Sequence, residues 1–310
     1  MLRTPSLARL ALGFSFLSFA SAPAFTAVAA SPYQPRVDRK YPDVVAFLKT
    51  LEARFPANVS RFNLGVSDSG SMIEGVRIGA GATRALIVAT HHGNEYGSSE
   101  VALAAAASFA DNPLPSHTLY VIPVLNIGGY NSRSREEKAG KIYHDPNRDY
   151  PGPCGSDSEF ALKSTHALAD FAAREGIVTS ATLHTYYPAV VYPWGFGTRD
   201  LETAYQADFE RLVEAAVSES RYETGNSTAV IYPANGTYED YAFWKHGIWS
   251  LLFELGFSHS PSLGEISEMV RVNVPGLRSF IELAPKGRAQ NHAFTGRCDD
   301  GLRILDRRDE

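Results

Sequence analysis

The chain has 310 residues, with 29 Lys and Arg against 34 Asp and Glu, a net charge of −5, and two cysteines. Without a positive excess or a basic stripe it is not built to bind nucleic acid. No repeat or low-complexity block interrupts it, which argues against a solenoid or a disordered chain.

The first thirty residues read as a secretory signal peptide. Arg3 and Arg9 make a positive start, Leu10 to Phe25 an apolar core, and Ala27-Val-Ala29 a small-x-small cleavage site, with no acidic residue among them. The segment is short and wrongly flanked for a membrane anchor, and an uncleaved anchor is the alternative reading. Its removal leaves 27 basic against 34 acidic residues, a net −7. The expected layout is a signal peptide over 1–30, one domain over 31–285 and a polar C-terminal tail over 286–310. The expected destination is secreted or periplasmic, with no membrane contact after signal removal. In such an oxidising compartment Cys154 and Cys298 can pair, tying the tail to the loop around Cys154.

Tyr41 to Phe55 carries a helical stripe of Val44, Val45, Phe47, Leu48 and Leu51. Asn63 to Gly79 reads as two strands around Ser69-Gly70. Ala85 to Ala89 is a short apolar run that reads as a buried strand, and Ser98 to Ala110 as a helix. Leu119 to Leu125 is a strand ending at Asn126-Ile-Gly-Gly129. Ser158 to Glu175 and Leu201 to Ser220 read as helices, Val178 to Leu183 and Ser250 to Phe253 as strands. Gly264 to Leu283 reads as a helix broken near Pro275. Alternating strands and helices point to an α/β fold: a single domain with a mixed, mostly parallel twisted sheet and helices on both faces. Sites in such sheets form at the carboxyl ends of strands.

His92 and Glu95 sit directly after one such strand end, three positions apart. A catalytic Zn²⁺ takes three nitrogen or oxygen ligands from the protein and keeps one position open. A His-x-x-Glu pair supplies two ligands, although a pattern of four residues recurs by chance. His184 ends the strand Val178 to Leu183 and is a candidate for the third; a core histidine bonded to a backbone carbonyl is its ordinary alternative. Glu254 lies in the apolar run Ser250 to Gly256, where a carboxylate is costly to bury unless it is paired or functional. It is either a general base or a buried salt-bridge partner.

His92-Gly-Asn-Glu95, Asp145-Pro-Asn-Arg148, His184-Thr-Tyr186, Tyr232 and Glu254-Leu-Gly256 occur in the order found in the carboxypeptidase A-like zinc metallocarboxypeptidases. The chain resembles that family over roughly Asn63 to Gly256. The resemblance implies one Zn²⁺ per chain held by His92, Glu95 and His184, with Asp145 orienting His92. It implies Glu254 as general base toward zinc-activated water. Asn147, Arg148 and Tyr232 would grip the substrate's terminal carboxylate, which suits the planar fork of arginine, and Tyr186 would wall the peptide cleft. The family's oxyanion-stabilising arginine corresponds to Arg135, with Arg133 as second choice. Glu239, counted back from Glu254, falls where the family sets its terminal side-chain preference, with Asp240 beside it in a structural role. Glu239 would select a basic terminal residue there, or else face solvent and pair with a base such as Lys245.

The implied function is hydrolysis of the C-terminal peptide bond of peptides or proteins; peptidoglycan stem peptides, which also end in a free carboxylate, are an alternative substrate. Asn126-Ile-Gly-Gly129 departs from the family's usual Asn-Pro-Asp-Gly, and His91 has the wrong spacing to replace His92. No pro-segment is evident after Ala30. The alternatives are a zinc deacylase or a peptidoglycan amidase, and a dead binding module. The module would have lost a ligand or the base. A serine hydrolase is disfavoured, because no Gly-x-Ser-x-Gly elbow occurs.

Overall fold

The computed structural model describes residues 31–196 and 202–298, besides Met1 and Leu2. The chain divides into a unit Met1–Ala30 and a unit Ser31–Glu310, and all elements below belong to the second. The expected signal peptide, apart from its first two residues, and the end of the expected tail (299–310) lie outside the described residues.

In chain order the elements are α1 (Tyr41–Arg54), β1 (Val59–Val66), β2 (Met72–Ile78), β3 (Thr83–Ala89), α2 (Tyr96–Asp111), β4 (His117–Ile122), α3 (Ile127–Ser132), β5 (Glu137–Ala139), β6 (Ile142–His144), α4 (Lys163–Arg174), β7 (Thr179–His184), β8 (Ala189–Tyr192), α5 (Gln206–Ala216), β9 (Glu223–Asn226), α6 (Ser227–Val230), α7 (Tyr238–His246), β10 (Trp249–Glu254) and α8 (Leu263–Leu283). Among the described residues eight strands form one sheet in the order β1-β2-β4-β3-β7-β10-β8-β9. The central run β4-β3-β7-β10 is parallel throughout, while β1, β2 and β8 join antiparallel neighbours. Every residue of β4 and β7 is buried, so both faces of the sheet centre are covered, as parallel strands require. Leu86, Ile87 and Val88 expose no surface, and each such side chain contributes about 1.5–3 kcal/mol.

Register brings the site together. The parallel pairing of β7 with β10 sets Glu254 beside His184, and that of β3 with β7 sets Ala89 beside Leu183. The ends of β3, β7 and β10 therefore open at the same edge. The metal loop that follows β3 crosses α3 at two glycines: a Cβ on Gly93 would lie 2.0 Å from the carbonyl carbon of Gly129. No larger residue fits that crossing.

Three helix expectations need correction. The helix expected from Ser158 begins only at Lys163, because the buried Asp149 carboxylate accepts from Ala161 N, Leu162 N and the Ser158 and Thr165 hydroxyls, fixing 158–162 as a loop. The helix expected over Leu201 to Ser220 runs from Gln206 to Ala216, with Leu201 outside the described residues. α8 runs unbroken through Pro275. A proline removes only one intrahelical hydrogen bond, and the next residue, Gly276, packs so closely on Ala216 that a Cβ would lie 1.9 Å from its carbonyl oxygen. This tight packing on α5 accompanies the missing bond. The first residues of the expected tail are packed: Trp249 Nε1 donates to Gly287 O, and Arg288 donates to Ala172 O and Ile177 O. Cys154 and Cys298 form a disulfide. Among the described residues no helix is long and apolar enough to cross a membrane.

The β5–β6 hairpin carries a buried acid. Glu137 is 1 % exposed and accepts from the Ser164 hydroxyl, and among the described residues its Oε1 has no hydrogen-bond partner. Burial pushes its carboxyl from 4.5 up to about 7, against the Ser164 hydrogen bond. A raised folded-state value means the neutral acid is the form the fold accepts. Its stabilising share is complete below about pH 4.5 and is lost as pH rises through 7. At about 1.4 kcal/mol per pH unit the loss is on the order of 3 kcal/mol. Glu137→Gln is therefore expected to be more stable than the parent at pH 8 by that order and indistinguishable from it at pH 4, read by denaturant unfolding.

Candidate active site

His92, Glu95 and His184 converge, with one ligand atom of each lying within 4.8 Å of the others. They are 4 %, 1 % and 0 % exposed, and polar groups so deeply buried must be paired or coordinate a metal. His92 Nδ1 lies 3.2 Å from His184 Nδ1 and 2.7 Å from Glu95 Oε1, while Glu95 Oε2 lies 3.0 Å from His184 Nδ1. That N–N separation suits two nitrogens of one tetrahedral zinc, whose bonds are about 2.0–2.1 Å. His92 Nε2 lies 3.0 Å from Asp145 Oδ1. A proton donated there leaves the Nδ1 lone pair free for a metal. Burial alone would raise the Glu95 carboxyl, but His92 and His184 outweigh it and hold it well below the usual carboxylate range. For Asp145, burial is likewise overcome by His92 and Arg135.

Around this centre stand the other expected residues. Arg135 clamps Asp145 Oδ2 through Nε (3.0 Å) and Nη2 (2.7 Å), and its Nη1 reaches 3.1 Å from His92 Nδ1. Arg133 turns the other way, to the carbonyls of Val37 and Arg39. Of the two arginines left open by the sequence, only Arg135 reaches the metal ligands. Glu254 ends β10 with Oε2 buried and without a hydrogen-bond partner among the described residues. Burial, then the Glu95 charge, pushes its carboxyl well above the usual range, opposed by Arg135. A positive metal beside it would draw it back toward the ionised form.

Arg148 Nη2 donates to the Tyr232 hydroxyl at 3.2 Å and Nη1 to Asn147 O at 2.7 Å. Asn147 is buried, and its side-chain oxygen accepts from Tyr238 N at the start of α7. A polar cleft of about 410 Å³ opens beside these groups, lined in part by Arg135, Asp145, Arg148 and Asp157. Glu239 is 1 % exposed, with Oε2 unpartnered among the described residues, so it does not pair with Lys245 at the surface. Burial raises its carboxyl, while His184 and Arg148 pull it down. Asp240 accepts from Gly195 N through both oxygens.

The zinc carboxypeptidase model of the peptidase M14 family matches residues 44–275. The chain belongs to that family. Human carboxypeptidase B is 30 % identical over 170 residues, 44 % of this chain and 40 % of the human protein. The chain thus matches less than half the length of that relative. Carboxypeptidase B of Astacus astacus is 26 % identical over 253 residues, 67 % of this chain and 82 % of the crayfish protein. The fold matches the carboxypeptidase A structure from Helicoverpa armigera with a TM-score of 0.72 at 19 % identity, covering 82 % of this chain and 76 % of that one.

Several contacts around the M14 site were not legible in the sequence. Thr185 N donates to Glu95 Oε2 at 3.2 Å, a main-chain contact that no side chain announces. His91 stacks on His184 with ring centroids 5.4 Å apart, and its Nε2 lies 3.0 Å from the Tyr150 hydroxyl. His259 stands edge-on to the half-exposed Tyr186 at 4.8 Å, close enough to Glu95, Arg135 and His92 to feel their charges. An isolated histidine in a loop offers no pattern by which to find it.

Proposed function

We propose that the protein is a secreted or periplasmic zinc carboxypeptidase that removes the C-terminal residue of peptides, cell-wall stem peptides included. The observation that carries this reading is the grip beside the metal ligands. Among the described residues, the hydrogen bonds of the Arg148 fork go to neutral oxygens, those of Asn147 and Tyr232. Its charge is thus available to a substrate carboxylate, with the Tyr232 hydroxyl beside it. The disulfide and the signal-like first thirty residues support the compartment.

His92, Glu95 and His184 would hold one zinc, which when bound polarises a carbonyl oxygen and acidifies water. Glu254 takes the water's proton and returns it to the leaving amine. Arg135 presents positive charge to the oxyanion that develops on the scissile carbonyl. Arg148, Asn147 and Tyr232 fix the terminal carboxylate, so that the last peptide bond is the one presented.

Arg148→Ala is expected to cost about 1.5–3 kcal/mol toward free-acid peptides, the worth of hydrogen bonds to a charged group, or about 10- to 150-fold in kcat/KM. C-terminally amidated peptides should be poor substrates of the parent and lose far less in the variant. Mass spectrometry of both peptide sets, with and without chelator, reads this. Equal cleavage of acid and amide forms would instead mark a deacylase or endopeptidase.

The same reading gives Glu239 the terminal side chain. A buried carboxylate with an unpartnered oxygen is costly unless neutralised, and a substrate ammonium or guanidinium would do so. Peptides ending in Lys or Arg are expected to exceed those ending in Leu or Phe in kcat/KM by about 1–3 kcal/mol. Glu239→Gln should remove the difference. A parent enzyme that prefers Leu or Phe would take Glu239 out of substrate reading.

A further inference from the structure

Arg133 holds a conformation that its residue type disfavours. It caps α3 with φ 58° and ψ 39°, in the left-handed region, where a non-glycine residue persists only if its surroundings over-determine it. The surroundings here are specific. Its guanidinium lies over two aromatic rings, 4.5 Å from the centroid of Tyr96 and 4.8 Å from that of Tyr130. Tyr96 is the residue after the metal ligand Glu95. Nη2 of Arg133 also donates to two main-chain carbonyls, Val37 at 3.3 Å and Arg39 at 3.1 Å.

Those carbonyls belong to a firmly tied segment. Arg39 Nε donates to Glu100 Oε1 at 2.6 Å, Tyr33 OH to Glu100 Oε2 at 2.9 Å and Arg36 N to Glu100 Oε2 at 3.0 Å, with Glu100 fully buried on α2. Tyr41 N and Lys40 Nζ bond to Asn131, two residues before Arg133. On the other side of the loop, Arg135 O accepts from Gly93 N at 3.2 Å and from Asn126 Nδ2 at 3.2 Å. The tripeptide Arg133-Ser134-Arg135 is thus pinned at one end to the metal loop. At the other end Arg133 pins it to the segment 33–41.

We propose that Arg133 is a positioning residue: by bridging the segment 33–41 and the Tyr96–Tyr130 ring pair, it sets where Arg135 presents its guanidinium to the reacting carbonyl. The proposal rests on the reading of Arg135 given above. Misplacement of a catalytic group by about 1 Å can cost 100-fold, so Arg133 acts on turnover without touching substrate.

Arg133→Gly is the informative variant, since glycine takes the left-handed conformation freely and removes only the side chain. Expected are a kcat per zinc-loaded chain at least about tenfold lower, unchanged zinc content and unchanged KM for a free-acid peptide, because the Arg148 grip is untouched. Arg133→Lys keeps a cation on the rings but lacks the planar fork, and should fall between parent and glycine variant; it replaces the glycine variant in every comparison if that one does not fold. The decisive measurement is the double-mutant cycle with Arg135→Ala. If Arg133 works through Arg135, Arg133→Gly should change kcat by less than about twofold in the Arg135→Ala background. Equal factors in both backgrounds, parental kcat in Arg133→Gly, or a loss confined to KM would each overturn the proposal. If Arg135→Ala itself leaves kcat unchanged, the role of Arg135 falls and this proposal falls with it. A damaging Arg135→Ala that multiplies with Arg133→Gly sinks the proposal alone.

Discussion

Glu254→Gln is expected to fold, to bind zinc as the parent does and to lose turnover by about 10²- to 10⁴-fold, the usual contribution of a general base. Glutamine keeps the shape and the acceptor oxygen of the side chain but cannot take a proton. Because burial and the neighbouring Glu95 charge make the ionised form of Glu254 costly, removing its charge should leave the metal-free protein at neutral pH no less stable than the parent. Zinc analysis, unfolding of the metal-free protein and kcat on one free-acid peptide test the three parts. Near-parental turnover would remove Glu254 from the chemistry.

Loss of His92 or His184 is the second large effect. His92→Ala and His184→Ala are each expected to hold well below one zinc per chain after dialysis and to show only background hydrolysis, since three protein ligands are what a catalytic zinc requires. Asp145→Asn should be milder, with about 10- to 100-fold weaker zinc affinity, because it disturbs the orientation of His92 and not the ligand count. Chelator titration of the parent and the three variants orders them. Stoichiometric zinc that survives both alanine substitutions would defeat the assigned site.

Much of this was legible in the residues. The apolar run 85–89, the stripe from Val44 to Leu51 and the run 250–253 announced their elements, because burial writes itself into the spacing of apolar side chains. His92, Glu95, His184 and Glu254 were legible as candidates for a related reason: metal-binding or charged groups at the ends of apolar strands are costly to bury unless paired or functional. Short elements without such patterning were not foreseen. The β5–β6 hairpin, β8, β9 and α7 are three to nine residues long, and each depends on a neighbour for its hydrogen bonds or its cover. Pro275 misled because its local cost was visible and its compensation, the contact of Gly276 with Ala216, lies about sixty residues away.

By itself the sequence determined the chemistry on offer: the donor set, a carboxylate in an apolar strand, the alternation of strand and helix, and the two cysteines able to pair. Tertiary structure alone decided which of two arginines lies against His92 and Glu95. Arg133 and Arg135 are two residues apart and chemically identical, yet one is drawn to the carbonyls of Val37 and Arg39 and the other to Asp145. It also decided that Glu239 is buried rather than paired with Lys245, and that Glu254 stands beside His184. Those outcomes depend on strand register and on contacts between segments far apart in the chain, which no local pattern of residues encodes.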